Sequence, residues 1–312
     1  MAVVVSHDRR DLLARTLDGL AAQDRPCDAV VVVDNASSDG SADLADAHPL
    51  APEVVRLPRN TGGAGGFAAG TARAVRSHRA DLVWLMDDDT VPTPSALAEL
   101  LRARSRYAGR PALLASRAVW HDGRDHPMNT PRRRFGLARP FTGRAAAVGG
   151  VPIRSASFVS TLVDARAVRE EGLPEAAYFI WNDDFEFTAR LLRRRTGLFV
   201  PTSVVEHLTR TFGSTDADPG ERFFYEVRNK LWMLRTSRAL GPLDLALYGA
   251  ATLRRWGRTV LRSADRPLLL RAGRRGFVAG LTSRPEPTTT ALAGLGAVSD
   301  DVRAIQEAVH RD

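Results

Sequence analysis

At 312 residues, 44% of them hydrophobic, the chain is long enough to bury one α/β domain with an appendage. Its formal charge of +8 comes almost wholly from arginine, Lys230 being the one lysine, and such an excess points to nucleic acid, an anionic lipid or a phosphorylated substrate. Cys27 stands alone, which excludes intrachain disulfides and cysteine-built zinc sites; with no signal-like N-terminus and no uncharged apolar run of ~18 residues, no spanning helix is expected.

The first half alternates short β-branched runs with amphipathic stretches, the pattern of βαβ units. Residues 2–5 predict a strand and 11–23 a helix with Leu12, Leu13, Leu17 and Leu20 on one face. Strands are expected at 29–33 and 53–57, a helix at 65–78 and a buried strand at 81–86. Each strand ends in a polar cluster: Ser6-His7-Asp8-Arg9, Asp34-Asn35, Arg59-Asn60 and Asp87-Asp88-Asp89. Open parallel sheets bind ligands outside the carboxyl ends of their strands, so the four clusters converge on one crevice.

Residues 124–144, rich in Pro and Arg, read as a long loop, and 157–163 as a strand. The segment 183–195 reads as a helix with acids first and arginines last, matching the helix dipole. Helices are expected at 222–238, 243–262 and 267–281, then a Pro/Thr-rich linker over 283–290 leading to a last short helix. The expected division is an α/β domain over 1–220 and a helical region over 221–312. From Arg254 to Arg284 there are nine arginines and one acid, Asp265. Together with Trp232, Trp256 and Phe277 they suit either a membrane interface or a solvated basic face on packing helices.

Three adjacent carboxylates after an apolar strand repel one another, which a divalent cation resolves; Mg²⁺ or Mn²⁺ suits such hard ligands. An acidic turn capping the next helix is the plainer alternative. His207 follows an apolar run and is a ligand candidate because the triplet needs another protein donor. Asp34, at a strand end, can accept an N–H from a nucleobase, while Asp39 to Ser41 read as a turn and cap. The Gly-rich loop after Asn60 suits either phosphate contact or a tight helix entry. Asp183 and Asp184 beside aromatics offer a general base of raised pKa, or dipole partners of a helix, and Trp181 can stack on a sugar.

Taken in order, these stretches resemble the family 2 glycosyltransferases of GT-A fold, a Rossmann-like, mostly parallel sheet flanked by helices. The run comprises Val3 to Arg9, Asp34 to Ser41, Asn60 to Gly63, Asp87 to Asp89, Asp183 to Phe187 and His207. Within that family, Asn60 to Gly70, Trp84 to Met86, His126 to Pro131 and Trp181 to Asp184 are most similar to the actinobacterial galactofuranosyltransferases that begin cell-wall galactan.

The resemblance implies that Arg9 and Asp34 hold uracil, that Ser6, Asn60 and Asp88 complete the donor site, and that Asp87, Asp89 and His207 bind Mn²⁺ or Mg²⁺. It implies Asp184 as base, with Trp181 and Asp183 toward the acceptor. It further implies an inverting transfer from UDP-galactofuranose to a rhamnosyl-GlcNAc-diphospho-polyprenol, and no nucleic-acid partner. The enzyme is then peripheral to an anionic membrane, on the cytoplasmic face. Alternatives are a rhamnosyltransferase on a similar acceptor, an NAD-dependent oxidoreductase using the Gly-rich loop, and an inactive membrane scaffold.

Overall fold

The computed structural model describes residues 1–134, 139–209, 212 and 218–309. Four strands open the fold: β1 (Ala2–Ser6), β2 (Val30–Asp34), β3 (Glu53–Arg56) and β4 (Leu82–Asp87). Between them run α1 (Arg10–Ala21), α2 (Ser41–Ala47) and α3 (Gly62–Ala72). The strands pair in parallel in the order β3-β2-β1-β4, with Ser6 opposite Asp34 and Val5 opposite Asp87. Their predicted polar ends therefore lie side by side.

Alternation explains how valine runs serve two layers. Val3, Val5, Val31 and Val33 face α3, whereas Ala2, Val4, Val30 and Val32 face α1. α3 lies unusually close to the sheet because Gly66 and Gly70 press on Val5 and Val3, where a Cβ would overlap the valine methyls. Its glycines thus serve packing as well as helix entry, and its last turn relaxes into a π-helix over Arg73–Ser77.

The second half comprises β5 (Thr90–Pro92), α4 (Ala96–Arg106), β6 (Leu113–Val119), β7 (Arg132–Arg133), α5 (Arg139–Ala146), β8 (Val151–Ser155) and β9 (Thr161–Asp164). Then come α6 (Ala165–Glu171), α7 (Asp183–Leu191), β10 (Gly197–His207), α8 (Phe223–Thr236), α9 (Pro242–Arg262), α10 (Arg266–Thr282), α11 (Thr288–Ala291) and α12 (Ala297–Val309). Beyond β4 the sheet continues β9-β6-β10-β8-β7, with β5 on β10. Strands β6 and β10 are parallel to each other, and β9 lies antiparallel between β4 and β6. The expected mostly parallel α/β sheet is present.

Two local expectations change. Residues 124–134 and 139–144 are not one long loop; they hold a 3-10 turn at Pro127–Asn129, β7 and most of α5, with 135–138 outside the described residues. β7 exists because Arg132 pairs with Ser155, a partner no local pattern reveals. The strand predicted at 157–163 begins only at Thr161, whose hydroxyl donates to the Ser157 carbonyl at 2.6 Å and closes a turn there.

At the far end, Leu292, Leu295, Val298, Val302 and Ile305 enter the same core as Val3 and Val5, and Asp301 pairs with Arg73 at 3.1 Å. Trp232 is buried against Tyr178 and the half-buried Trp256 donates to Glu226. Both tryptophans are packing residues, because α8, α9 and α10 hold one another through these large side chains. Outward-facing apolar residues are instead Leu243, Leu247, Leu253 and Leu261 on α9, with Leu270 and Phe277 on α10.

Candidate active site

Asp87 closes β4, and Asp88 and Asp89 form the turn into β5, both buried. β5 pairs with the end of β10, and this brings His207 onto the triplet. One ligand atom each of Asp87, Asp89 and His207 lies within 4.8 Å of the others. The predicted trio therefore meets in space.

His207 Nδ1 donates to Asn129 Oδ1 at 2.8 Å, while the Asn129 amide donates to Ser157 Oγ at 3.1 Å. With the proton assigned to Nδ1 by its carbonyl partner, Nε2 presents a lone pair. That atom lies 3.1 Å from Asp89 Oδ1, and the buried oxygen has no other partner. Two carboxylates, an imidazole lone pair and an orphaned buried oxygen fit a divalent cation such as Mn²⁺ or Mg²⁺.

Arg9 takes part directly, donating to Asp89 and, at 3.4 Å, to Asp88 Oδ1. Burial, with the charges of Asp89 and Asp88, pushes the Asp87 carboxyl well above its ordinary value. Burial likewise lifts Asp88 to about 6 against the pull of Arg9. Asp89 goes the other way: burial raises it, but Arg9 and, when a proton sits between the two, His207 outweigh that and hold it low.

Ser6 is buried at the end of β1, and the His7 N–H donates to Asp88 at 3.1 Å. Asp8 accepts from Ser38 N–H at 2.7 Å, so it ties the first strand end to the second. Asp34 is buried; Oδ2 accepts from Ser37 N–H at 3.2 Å, and Oδ1 has no hydrogen-bond partner. A buried free acceptor at a strand end suits the N–H of a base. Asn60 is exposed and accepts from Gly62 N–H at 2.7 Å.

Sequence reasoning gave Asn35 no role, yet its Oδ1 accepts from Thr61 N–H at 2.8 Å and its amide donates to the Gly62 carbonyl at 2.9 Å. Gly62 itself sits at φ +71, where a Cβ would overlap the Phe179 carbonyl. The Gly-rich loop is thereby pinned to β2 on one side and to the turn before α7 on the other.

That turn holds Phe179, Trp181 and Asn182 at φ of 67, 65 and 65, backbone conformations each costing on the order of 1–3 kcal/mol. Asn229, fully buried on α8, offsets the strain by donating to the carbonyls of Tyr178, Ile180 and Trp181 at 2.9, 2.8 and 2.9 Å. Arg228 adds bonds to Ala177 and Tyr178, and Asn182 donates to Glu226 at 2.9 Å. Trp181 stays exposed. No motif marked these supports; they follow only from α8 lying behind the turn.

Asp183 and Asp184 start α7. Asp183 is buried and close enough to Asp87 for their charges to interact, so the acid pair lies on the triplet's side of the fold. Burial and the neighbouring Asp184 charge lift Asp183 to about 8. Asp184 is half-buried and accepts its neighbour's N–H at 2.6 Å; burial raises it, opposed by that bond, Lys230 and Arg132. A carboxyl of raised pKa beside a cation-fitting trio can take a proton from a hydroxyl held between them.

Comparison with known proteins agrees with this geometry. The chain is 33% identical over 258 residues to galactofuranosyltransferase GlfT1 of Mycobacterium tuberculosis, covering 75% of this chain and 81% of the relative. It is 32% identical over 272 residues to that of Mycolicibacterium smegmatis, covering 80% and 87%. Among solved structures it is similar to S. aureus TarS 1-349 in complex with UDP-GlcNAc (TM-score 0.58, 17% identity, 99% of this chain and 91% of that one). It is also similar to the mannosyltransferase PcManGT of Pyrobaculum calidifontis in complex with GDP-Man and Mn²⁺ (TM-score 0.51, 16% identity, 99% and 86%). These establish the GT-A fold and set aside the oxidoreductase alternative. Since the pattern defining "Glycosyltransferase like family 2" matches residues 1–231, the chain belongs to that family and is a glycosyltransferase.

Proposed function

We propose that this glycosyltransferase moves galactofuranose from UDP-galactofuranose to a rhamnosyl-GlcNAc-diphospho-polyprenol, with inversion at the anomeric carbon. The relatives' activity supports the sugar. The observation that carries the chemistry is the meeting of a cation-fitting trio, Asp87, Asp89 and His207, with an acid pair whose pKa values are raised.

In this reading Asp34 accepts from uracil, and Ser6, Asn60 and Asp88 hold the rest of the donor; Arg9, expected on the uracil, pairs instead with Asp88 and Asp89 and would meet the diphosphate. A cation held by the trio supplies positive charge to the departing diphosphate. Trp181 stacks on the acceptor sugar and Asp183 binds one of its hydroxyls. Asp184 takes the proton of the attacking hydroxyl, which reaches the anomeric carbon from the face opposite the leaving group, so one displacement inverts the centre. A synthetic rhamnosyl-GlcNAc-diphospholipid incubated with UDP-galactofuranose should gain one hexose mass or more. Gain from dTDP-rhamnose in its place would identify a rhamnosyltransferase.

The lipid-linked acceptor also gives a use to the C-terminal helices. Among the described residues, no helix is long and apolar enough to cross a membrane. Leu243, Leu247, Leu253 and Leu261 nevertheless project from α9, and α9 and α10 are rich in arginine. Apolar side chains among arginines suit the cytoplasmic face of an anionic bilayer. Vesicles with anionic lipid should sediment the protein, neutral vesicles far less, and the difference should shrink as salt rises. Equal recovery on both, at every salt concentration, rules this docking mode out.

A further inference from the structure

The acid pair lies between two residues that are both tied to α9. Phe185 follows the pair and meets the Tyr248 ring edge-on, with centroids 5.3 Å apart. Asn182 precedes it at φ 65, a left-handed conformation, and its tie runs through Glu226 of α8.

An asparagine at the head of a helix ordinarily caps it, its side-chain oxygen accepting an N–H of the first turn. Asn182 makes no such bond. Its amide turns away and donates to Glu226 Oε2 at 2.9 Å. The other oxygen of that carboxylate, Oε1, accepts from two neighbours on α9: the Arg255 guanidinium and, at 3.1 Å, Trp256 Nε1. The Glu226 side chain is 12% exposed, so these donors replace the water that a carboxylate otherwise needs. One oxygen serves the turn and the other serves α9.

α9 is lightly seated. Of its residues only Thr252 and Thr259 are buried, and Leu243, Leu247, Leu253 and Leu261 face outward. Its ion pairs to the body include Asp244 with Arg154 at 3.2 Å and Arg255 with Glu226. The second of these is the one that continues into the turn.

We propose that Glu226 is a positioning residue for the acceptor side of the site: it couples the seating of α9 to the turn that presents Trp181, Asp183 and Asp184. The inference rests on the reading of that turn as the acceptor's. Phe179, Trp181 and Asn182 all stand at positive φ, and such strain persists only where the surroundings over-determine it. Asn229 holds the carbonyls of the turn, whereas Glu226 holds the residue from which α7 starts. A capping side chain goes with an extended backbone. Released from Glu226, Asn182 can cap α7 itself by leaving its left-handed state, and this swings Trp181 and re-aims both acids.

Two substitutions on opposite sides of the carboxylate test the coupling. Asn182→Gly removes the amide and leaves the left-handed backbone accessible, while Arg255→Met removes the bond from α9. Hydrogen exchange over residues 178–185, read without substrate, should quicken about tenfold in each. The double variant should exchange no faster than the faster single one, because both changes act through one carboxylate. Additive effects, or unchanged exchange in Arg255→Met, overturn the coupling. Glu226→Leu should match the double variant, and the pair decides the matter should Glu226→Leu fail to fold.

Activity supplies a second arm. With UDP-galactofuranose and the synthetic acceptor, the acceptor KM should rise about tenfold in both single variants, with donor KM and UDP affinity unchanged. Asn182→Gly leaves α9 untouched, so a rise confined to Arg255→Met overturns the proposal. Equal rises in donor and acceptor KM mean a merely structural bridge and overturn it too. A wild type that turns over no acceptor sinks the transfer reading alone, since the exchange experiment needs no substrate.

Discussion

Asp184→Asn should lower transfer by ~10²–10⁴-fold, the usual contribution of a positioned base, while leaving donor and metal binding in place. The amide keeps the volume, and its oxygen can still accept the Phe185 N–H that Asp184 accepts now. What it loses is the capacity to take a proton at neutral pH. Metal affinity should persist because Asp184 is not one of the three residues that meet around the cation position. Asp183→Asn is the control. It imitates the protonated form that burial and the Asp184 charge favour at Asp183, so it should weaken acceptor binding more than the chemical step. Both variants are compared at saturating acceptor. Near-normal turnover in Asp184→Asn with none in Asp183→Asn would move the base by one residue.

The pH dependence follows from the same groups. Burial raises Asp184, and a carboxyl is useless as a base once protonated. Transfer should therefore fade as pH drops through a value above the ordinary carboxylate range.

What the chain's letters reveal is what lies close together along it. Valine runs alternate between two layers, so β1 and β2 are readable, and with them the strand ends carrying Ser6 and Asp34; the apolar run of β4 does the same for Asp87. Acids opening a helix announce α7. The supports are another matter. Asn229 holds the carbonyls of Tyr178, Ile180 and Trp181 across a separation of about fifty residues, and its value lies in strain that only the folded turn possesses. Asn129 orients His207 across a separation of 78. The stretch around Asn129 stands out by resemblance, but its hydrogen bond to His207 depends on where β10 ends in the folded sheet. The same limit leaves Trp232 and Trp256 open between a membrane interface and helix packing. Composition shows large aromatic rings among arginines but not which way a helix turns them, and here α8, α9 and α10 turn them inward.

Chelation should abolish transfer altogether, and excess Mn²⁺ or Mg²⁺ should restore it. The site as built gathers Asp87, Asp88 and Asp89 at one strand end and offsets them with Arg9, which pairs with two of the three. A sugar nucleotide adds a diphosphate to this spot, and one guanidinium cannot balance both. The buried Asp89 Oδ1 lacks a hydrogen-bond partner and faces a histidine nitrogen whose ring is oriented from behind by Asn129. Such an arrangement is stable only with a positive charge between the two acceptors, whether a proton or a metal ion, and a leaving diphosphate favours the ion. Asp89→Ala removes both the orphaned oxygen and one of the two carboxylate partners of Arg9. By calorimetry it should lose metal-dependent donor binding, whereas wild-type protein should bind UDP tightly with Mn²⁺ and weakly without it. Asn129→Ala should retain the three ligands but weaken metal affinity by ~10–100-fold, as expected when the group orienting a histidine ligand is removed. Full turnover after exhaustive chelation, or unchanged metal-dependent binding in Asp89→Ala, would show that the triplet is an acidic turn and that Arg9 alone meets the diphosphate.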